Sequence, residues 1–113
     1  SPTFGKWDSV LLSDRLKNSV YLSEGLGHAF VALTESATVN YMVTSTYNPQ
    51  LEFGINPLDS NLNLQFPGGL KLCLSEKDLN APSLDEAVTL GLLPSYTEAQ
   101  SRYIELDNLE RPL

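Results

Sequence analysis

The chain has 113 residues, enough for one domain with a modest hydrophobic core. Fourteen acidic residues against seven basic ones leave a net charge of −7, which argues against a nucleic-acid partner because phosphate binding needs surplus Lys and Arg. No apolar stretch is long enough to span a bilayer, no signal-peptide pattern opens the chain, and the single cysteine cannot form an internal disulfide, so a cytoplasmic location is expected.

Residues 7–12 (WDSVLL) are short and apolar and read as a strand, followed by a polar turn at 14–18. Residues 19–22 (SVYL) read as a second strand, closed by Ser23-Glu24-Gly25 with a natural positive-φ position at the glycine. A third strand covers 28–34 (HAFVALT) and a fourth, rich in β-branched residues, covers 37–46 (ATVNYMVTST). Glu35-Ser36 between them reads as a tight hairpin, although a primed turn prefers Asn-Gly or Gly-X. Period-two alternation then sets His28, Phe30 and Ala32 on the same face as Val39, Tyr41 and Val43. His28 and Tyr41 become diagonal neighbours, roughly 7–8 Å apart at Cα.

Residues 47–60 (YNPQLEFGINPLDS) form an irregular loop with two Asn-Pro steps, long enough to suggest a function. Residues 62–66 (LNLQF) read as a last strand, ended by Pro67-Gly68-Gly69. Cys73 reads as buried apolar filler rather than a reactive thiol. Ser75-Glu76-Lys77-Asp78 has the form of a capping box opening a short helix. Ser83 caps a second, over 84–90, with Asp85 and Glu86 in its first turn, Gly91 as its stop and Pro94 beyond. Residues 95–113 are an acidic tail, open between weak helix, packing on a neighbour and disorder. The expected class is mainly β with a small helical appendix, and five strands leave sheet edges that a second copy or a missing half must cover.

The order and spacing of several runs are similar to the dTDP-4-dehydrorhamnose 3,5-epimerase family. They are Ser1-Pro2-Thr3-Phe4-Gly5-Lys6-Trp7, Ser23-Glu24-Gly25-Leu26-Gly27-His28-Ala29-Phe30, Tyr41, Tyr47-Asn48-Pro49 and Glu52-Phe53-Gly54-Ile55. Asp59, Leu62, Phe66-Pro67, Ser75-Glu76-Lys77-Asp78 and Pro82 continue the likeness, and Gly91-Leu92-Leu93-Pro94 points to actinobacterial members. The resemblance implies that residues 1–94 are the C-terminal part of a cupin-type jelly roll, with about five strands, in a homodimer. It implies a dTDP-sugar ligand, dTDP-4-keto-6-deoxyglucose, whose C3 and C5 are inverted with no metal and no organic cofactor.

By the same resemblance, Tyr41 matches the acid that reprotonates the sugar and Asp78 the carboxylate that pairs with a base histidine. His28 and Tyr47 match residues lining the nucleotide-sugar. The family's base histidine, its arginines and its lysine lie upstream of the segment matching Ser1. His28-Ala29-Phe30 stands for the usual His-Gly-Phe, and Asp59-Ser60 for the usual Asp-Pro. A partial site is therefore expected, with negligible epimerase activity for these residues by themselves.

Proton removal beside a ketone needs a base on one face, an acid on the other and a group to hold the enolate. The plainer alternatives remain open: Tyr41 as a core tyrosine, Asp78 as the third helical residue of a cap, His28 as a structural histidine, Tyr47 as a hairpin end. One histidine, one cysteine and scattered acids form no metal-ligand cluster. Two other functions also stay open: a non-catalytic nucleotide-sugar-binding or structural module, and a part of a longer bifunctional chain.

Overall fold

A computed structural model describes residues 1–109. The chain divides into two compact units, Ala29–Leu92, and Ser1–His28 together with Leu93–Leu113. Among the described residues the regular elements are three helices, α1 (Glu76–Leu79), α2 (Leu84–Thr89) and α3 (Tyr96–Leu109). No strand or bridge occurs among those residues, so the runs 7–12, 19–22, 28–34, 37–46 and 62–66 carry no ladder. Strand pairing is non-local, and an alternating run needs a partner backbone before it hydrogen-bonds. Among the described residues no helix is long and apolar enough to cross a membrane.

In the unit Ala29–Leu92, α1 begins because Ser75 stands before it in extended backbone and its hydroxyl accepts from the Asp78 N–H. Four residues are too few to nucleate a stable helix unaided. The loop 54–63 supplies the aid. Asn56 N–H donates to the Pro82 carbonyl at 2.9 Å, and Asn56 Nδ2 donates to the Leu79 carbonyl at 3.3 Å. The Asn56 carboxamide oxygen also accepts from Leu58 N–H at 2.9 Å, a turn that presets the loop.

Helix α2 is tied from the same loop. Asp59 Oδ2 accepts the Leu84 N–H at 2.8 Å, and Asn61 Nδ2 donates to Asp85 Oδ2 at 2.8 Å. Ser83 and Glu86 close a reciprocal capping box on its first turn. Its end is a Schellman motif: Gly91, at φ 66°, donates to the Val88 carbonyl at 3.1 Å, and Leu92 donates to the Ala87 carbonyl at 3.0 Å. Leu84 and Ala87 are buried at 8% and 1% exposure and are the only buried side chains among the described residues. Cys73 is exposed, not filler, because a core of two residues offers it nothing to fill.

In the other unit, the polar turn at 14–17 is held by Lys17 N–H to the Ser13 carbonyl at 2.9 Å and by Asn18 Nδ2 to the Leu11 carbonyl at 2.8 Å. Gly25 adopts φ 85°, and a Cβ built on it would stand 2.6 Å from Ala99 Cβ of α3. The tail is helical from Tyr96 to Leu109, and residues 110–113 of it lie outside the described residues. Helix α3 buries no residue. Its Arg102–Glu105 pair, 3.0 Å apart and more than half exposed on each side, adds little stability.

Candidate functional site

Asp78 is the site residue whose setting is most fully built. It occupies the third position of α1, so its N–H points back at the N-cap, where Ser75 Oγ accepts it at 3.1 Å. The same hydroxyl donates to Asp78 Oδ2 at 2.7 Å, a short charge-assisted bond. A full capping box would also send the carboxylate to the Ser75 backbone N–H, and that bond is absent among the described residues. Asp is one methylene shorter than the Glu that completes the box on α2. Asp78 is exposed, and its Oδ1 has no hydrogen-bond partner among those residues.

Two other acids of this unit have different work. Asp59 is held below the ordinary carboxylate range first by the Leu84 N–H and then by the Asn61 N–H. Glu86 is lowered by the Ser83 backbone N–H and then by the Ser83 hydroxyl. Both are therefore anions at neutral pH that serve as acceptors for backbone. An open depression between α1 and α2 is lined by Asn80, Pro82, Asp85, Glu86, Thr89 and Leu90. It includes none of Tyr41, Tyr47 and Asp78.

Tyr41 and Tyr47 stand 79% and 69% exposed, and Phe30, between His28 and the expected turn, 72%. His28 is exposed in its own unit. No hydrogen bond joins Tyr41, Tyr47 and Asp78 to one another among the described residues, and the Tyr41 ring is largely open to solvent. The residues that sequence reasoning passed over are Asn56 and Asn61; Asp59 figures there only as part of the family likeness, with no structural role. The only signal for them is their residue type, short polar Asn and Asp side chains in a loop, which bond nearby backbone.

The family model of dTDP-4-dehydrorhamnose 3,5-epimerase matches residues 1–86, a span that holds His28, Tyr41, Tyr47 and Asp78. This chain belongs to that family. A dTDP-4-dehydrorhamnose 3,5-epimerase of Mycolicibacterium smegmatis is 46% identical over 101 residues, which cover 89% of this chain and 49% of the relative. A Streptomyces dTDP-4-dehydro-6-deoxyglucose 3-epimerase is 44% identical over 102 residues, covering 90% of this chain and 52% of its own length. The dTDP-4-dehydrorhamnose 3,5-epimerase of Mycobacterium tuberculosis H37Rv is 44% identical, with 88% and 50% covered. The chain thus spans about half the length of the curated epimerases it matches. No solved structure matches it.

Proposed function

We propose that these residues supply one wall of a nucleotide-sugar epimerase site, carried on a cupin-type jelly roll and acting on a dTDP-4-keto-6-deoxyhexose. Asp78 orients an imidazole that removes the proton beside the C4 ketone. Tyr41 gives its phenolic proton to the opposite face of the enolate, and the phenolate regains a proton from the imidazolium side through solvent. His28 and Tyr47 hold the ligand. The imidazole comes from outside the 113 residues, since His28 is the only histidine among them. Sheet edges then close against that further segment and a second copy in a cytoplasmic homodimer.

The observation that carries this reading is the family match over residues 1–86, a range that includes all four residues. The free Oδ1 of Asp78 supports it, because an orienting carboxylate needs an oxygen to spare. The relatives' names divide between 3,5- and 3-epimerases, so the number of centres inverted is a readout of the test.

The test follows deuterium from solvent into C3 and C5 of dTDP-4-keto-6-deoxyglucose by NMR. The chain alone is expected to give no exchange above buffer. Mixing it with the segment of the curated epimerases that it does not match is expected to restore exchange, and Tyr41→Phe to abolish it. Rapid exchange by the chain alone refutes the assignment of the base. Binding of dTDP by calorimetry with no exchange after mixing leaves a nucleotide-sugar-holding module in its place.

A further inference from the structure

We propose that Ser75 is a positioning residue for Asp78: its hydroxyl pins one carboxylate oxygen and reserves the other for an imidazole N–H. The proposal rests on the epimerase reading above, and deepens it at one residue. The contrast between the two short helices carries it. On α2, the Glu86 carboxylate takes the Ser83 backbone N–H at 2.8 Å and the Ser83 hydroxyl at 2.9 Å, so the acid serves the cap. On α1, Asp78 leaves the Ser75 N–H alone and takes only the hydroxyl, at 2.7 Å. The acid does no capping there. The hydroxyl both accepts from the Asp78 backbone, at 3.1 Å, and donates to its side chain, which closes a small ring and fixes χ1.

Asn56 completes the support from the far end of the turn, through Nδ2 to the Leu79 carbonyl at 3.3 Å. An exposed carboxylate without such ties rotates among staggered wells and presents either oxygen. Held as it is, Asp78 offers Oδ1 in one direction. A base misplaced by a rotating partner loses on the order of tenfold or more in rate.

The experiment compares Ser75→Gly, Ser75→Thr and the unaltered 113-residue chain. Glycine is nearly as good an N-cap as serine, within a few tenths of a kcal/mol, but has no hydroxyl; threonine keeps both roles. Three-bond couplings from Asp78 Cγ to its amide nitrogen and carbonyl carbon report χ1, and solvent exchange of the Asn80 amide reports whether α1 persists. The expected result is a single rotamer in the unaltered chain and Ser75→Thr. Ser75→Gly shows averaged couplings while Asn80 exchange changes by less than about twofold.

A single rotamer retained in Ser75→Gly overturns the proposal, and so does averaging already present in the unaltered chain. Loss of α1 in Ser75→Gly overturns it as well, because the hydroxyl then serves the cap alone. In the mixed exchange assay Ser75→Gly lowers kcat on the order of tenfold at unchanged KM, with Ser75→Thr restoring it; an unchanged kcat overturns the proposal. Absence of exchange from the unaltered mixture sinks the epimerase reading, whereas the couplings judge the positioning geometry without it.

Discussion

Replacing Asn56 with alanine removes two side-chain bonds at one stroke, the 3.3 Å link from Nδ2 to the Leu79 carbonyl and the 2.9 Å link from Leu58 N–H. Its backbone bond to the Pro82 carbonyl survives. Each neutral bond is worth about 0.5–1.5 kcal/mol, and the longer one belongs at the low end. The loss is therefore about 1.4 kcal/mol, roughly tenfold in a local opening constant. A four-residue helix has little stability of its own, so nearly all of that loss falls on α1.

Amide solvent exchange by NMR reads this directly. Asn80 N–H, bonded to the Glu76 carbonyl, and Leu79 N–H, bonded to the Ser75 carbonyl, accelerate about tenfold. Ala87 and Leu90 amides change by less than about twofold, since α2 keeps its own cap and its ties to Asp59 and Asn61. Asn56→Asp separates the two bonds: it keeps an acceptor for Leu58 but aims an anion at the Leu79 carbonyl, so α1 loosens further while the loop turn holds. Unchanged Asn80 exchange in Asn56→Ala refutes the reasoning, because Ser75 alone would then hold α1. Equal acceleration across α2 refutes it too, because the unit would then open as one body.

The lowered carboxylates of Asp59 and Glu86 fix a direction for acid. A depressed folded-state value means that their contribution is complete above the ordinary carboxylate range and is lost as pH falls through the lower, folded values. The Leu84 and Glu86 amide resonances are expected to hold steady from neutral pH to about pH 5 and to move below about pH 4; movement centred near neutrality would contradict the assignment. Gly25→Ala is expected to cost more than Gly91→Ala. Both place a side chain at positive φ, about 1–2 kcal/mol, but only Gly25 adds a contact, 2.6 Å from Ala99 Cβ. Exchange of the Ala99 amide in the first and of the Leu92 amide in the second measures each, and equal costs would mean that α3 yields freely.

What the sequence discloses here is local. A serine followed three residues later by an acid marks both helix starts, and the structure caps them at Ser75 and Ser83. Gly91 after an apolar run marks the end of α2, and Gly25 the tight turn. The ties from Asn56, Asp59 and Asn61 span about two dozen residues and have no period or spacing to announce them. The distinction between a capping acid and a freed one at Asp78 turns on one methylene of reach, which pattern alone does not weigh. Tyr41, Tyr47 and His28 are recognisable by motif and order, but a motif encodes residue type and not surroundings. Their exposure depends on what packs against them, and alternating runs such as 37–46 specify a face without specifying what lies against it.

Helix α2 is sealed at both ends, by Ser83, Glu86 and Asp59 before it and by the left-handed Gly91 after it. The left-handed turn at Gly91 directs the chain away from the helix axis, so the helix does not continue past it. The unit Ala29–Leu92 ends at Leu92, one residue past that glycine. Evolution can lengthen, shorten or redirect the backbone beyond Leu92 without disturbing the turn that carries Asp78.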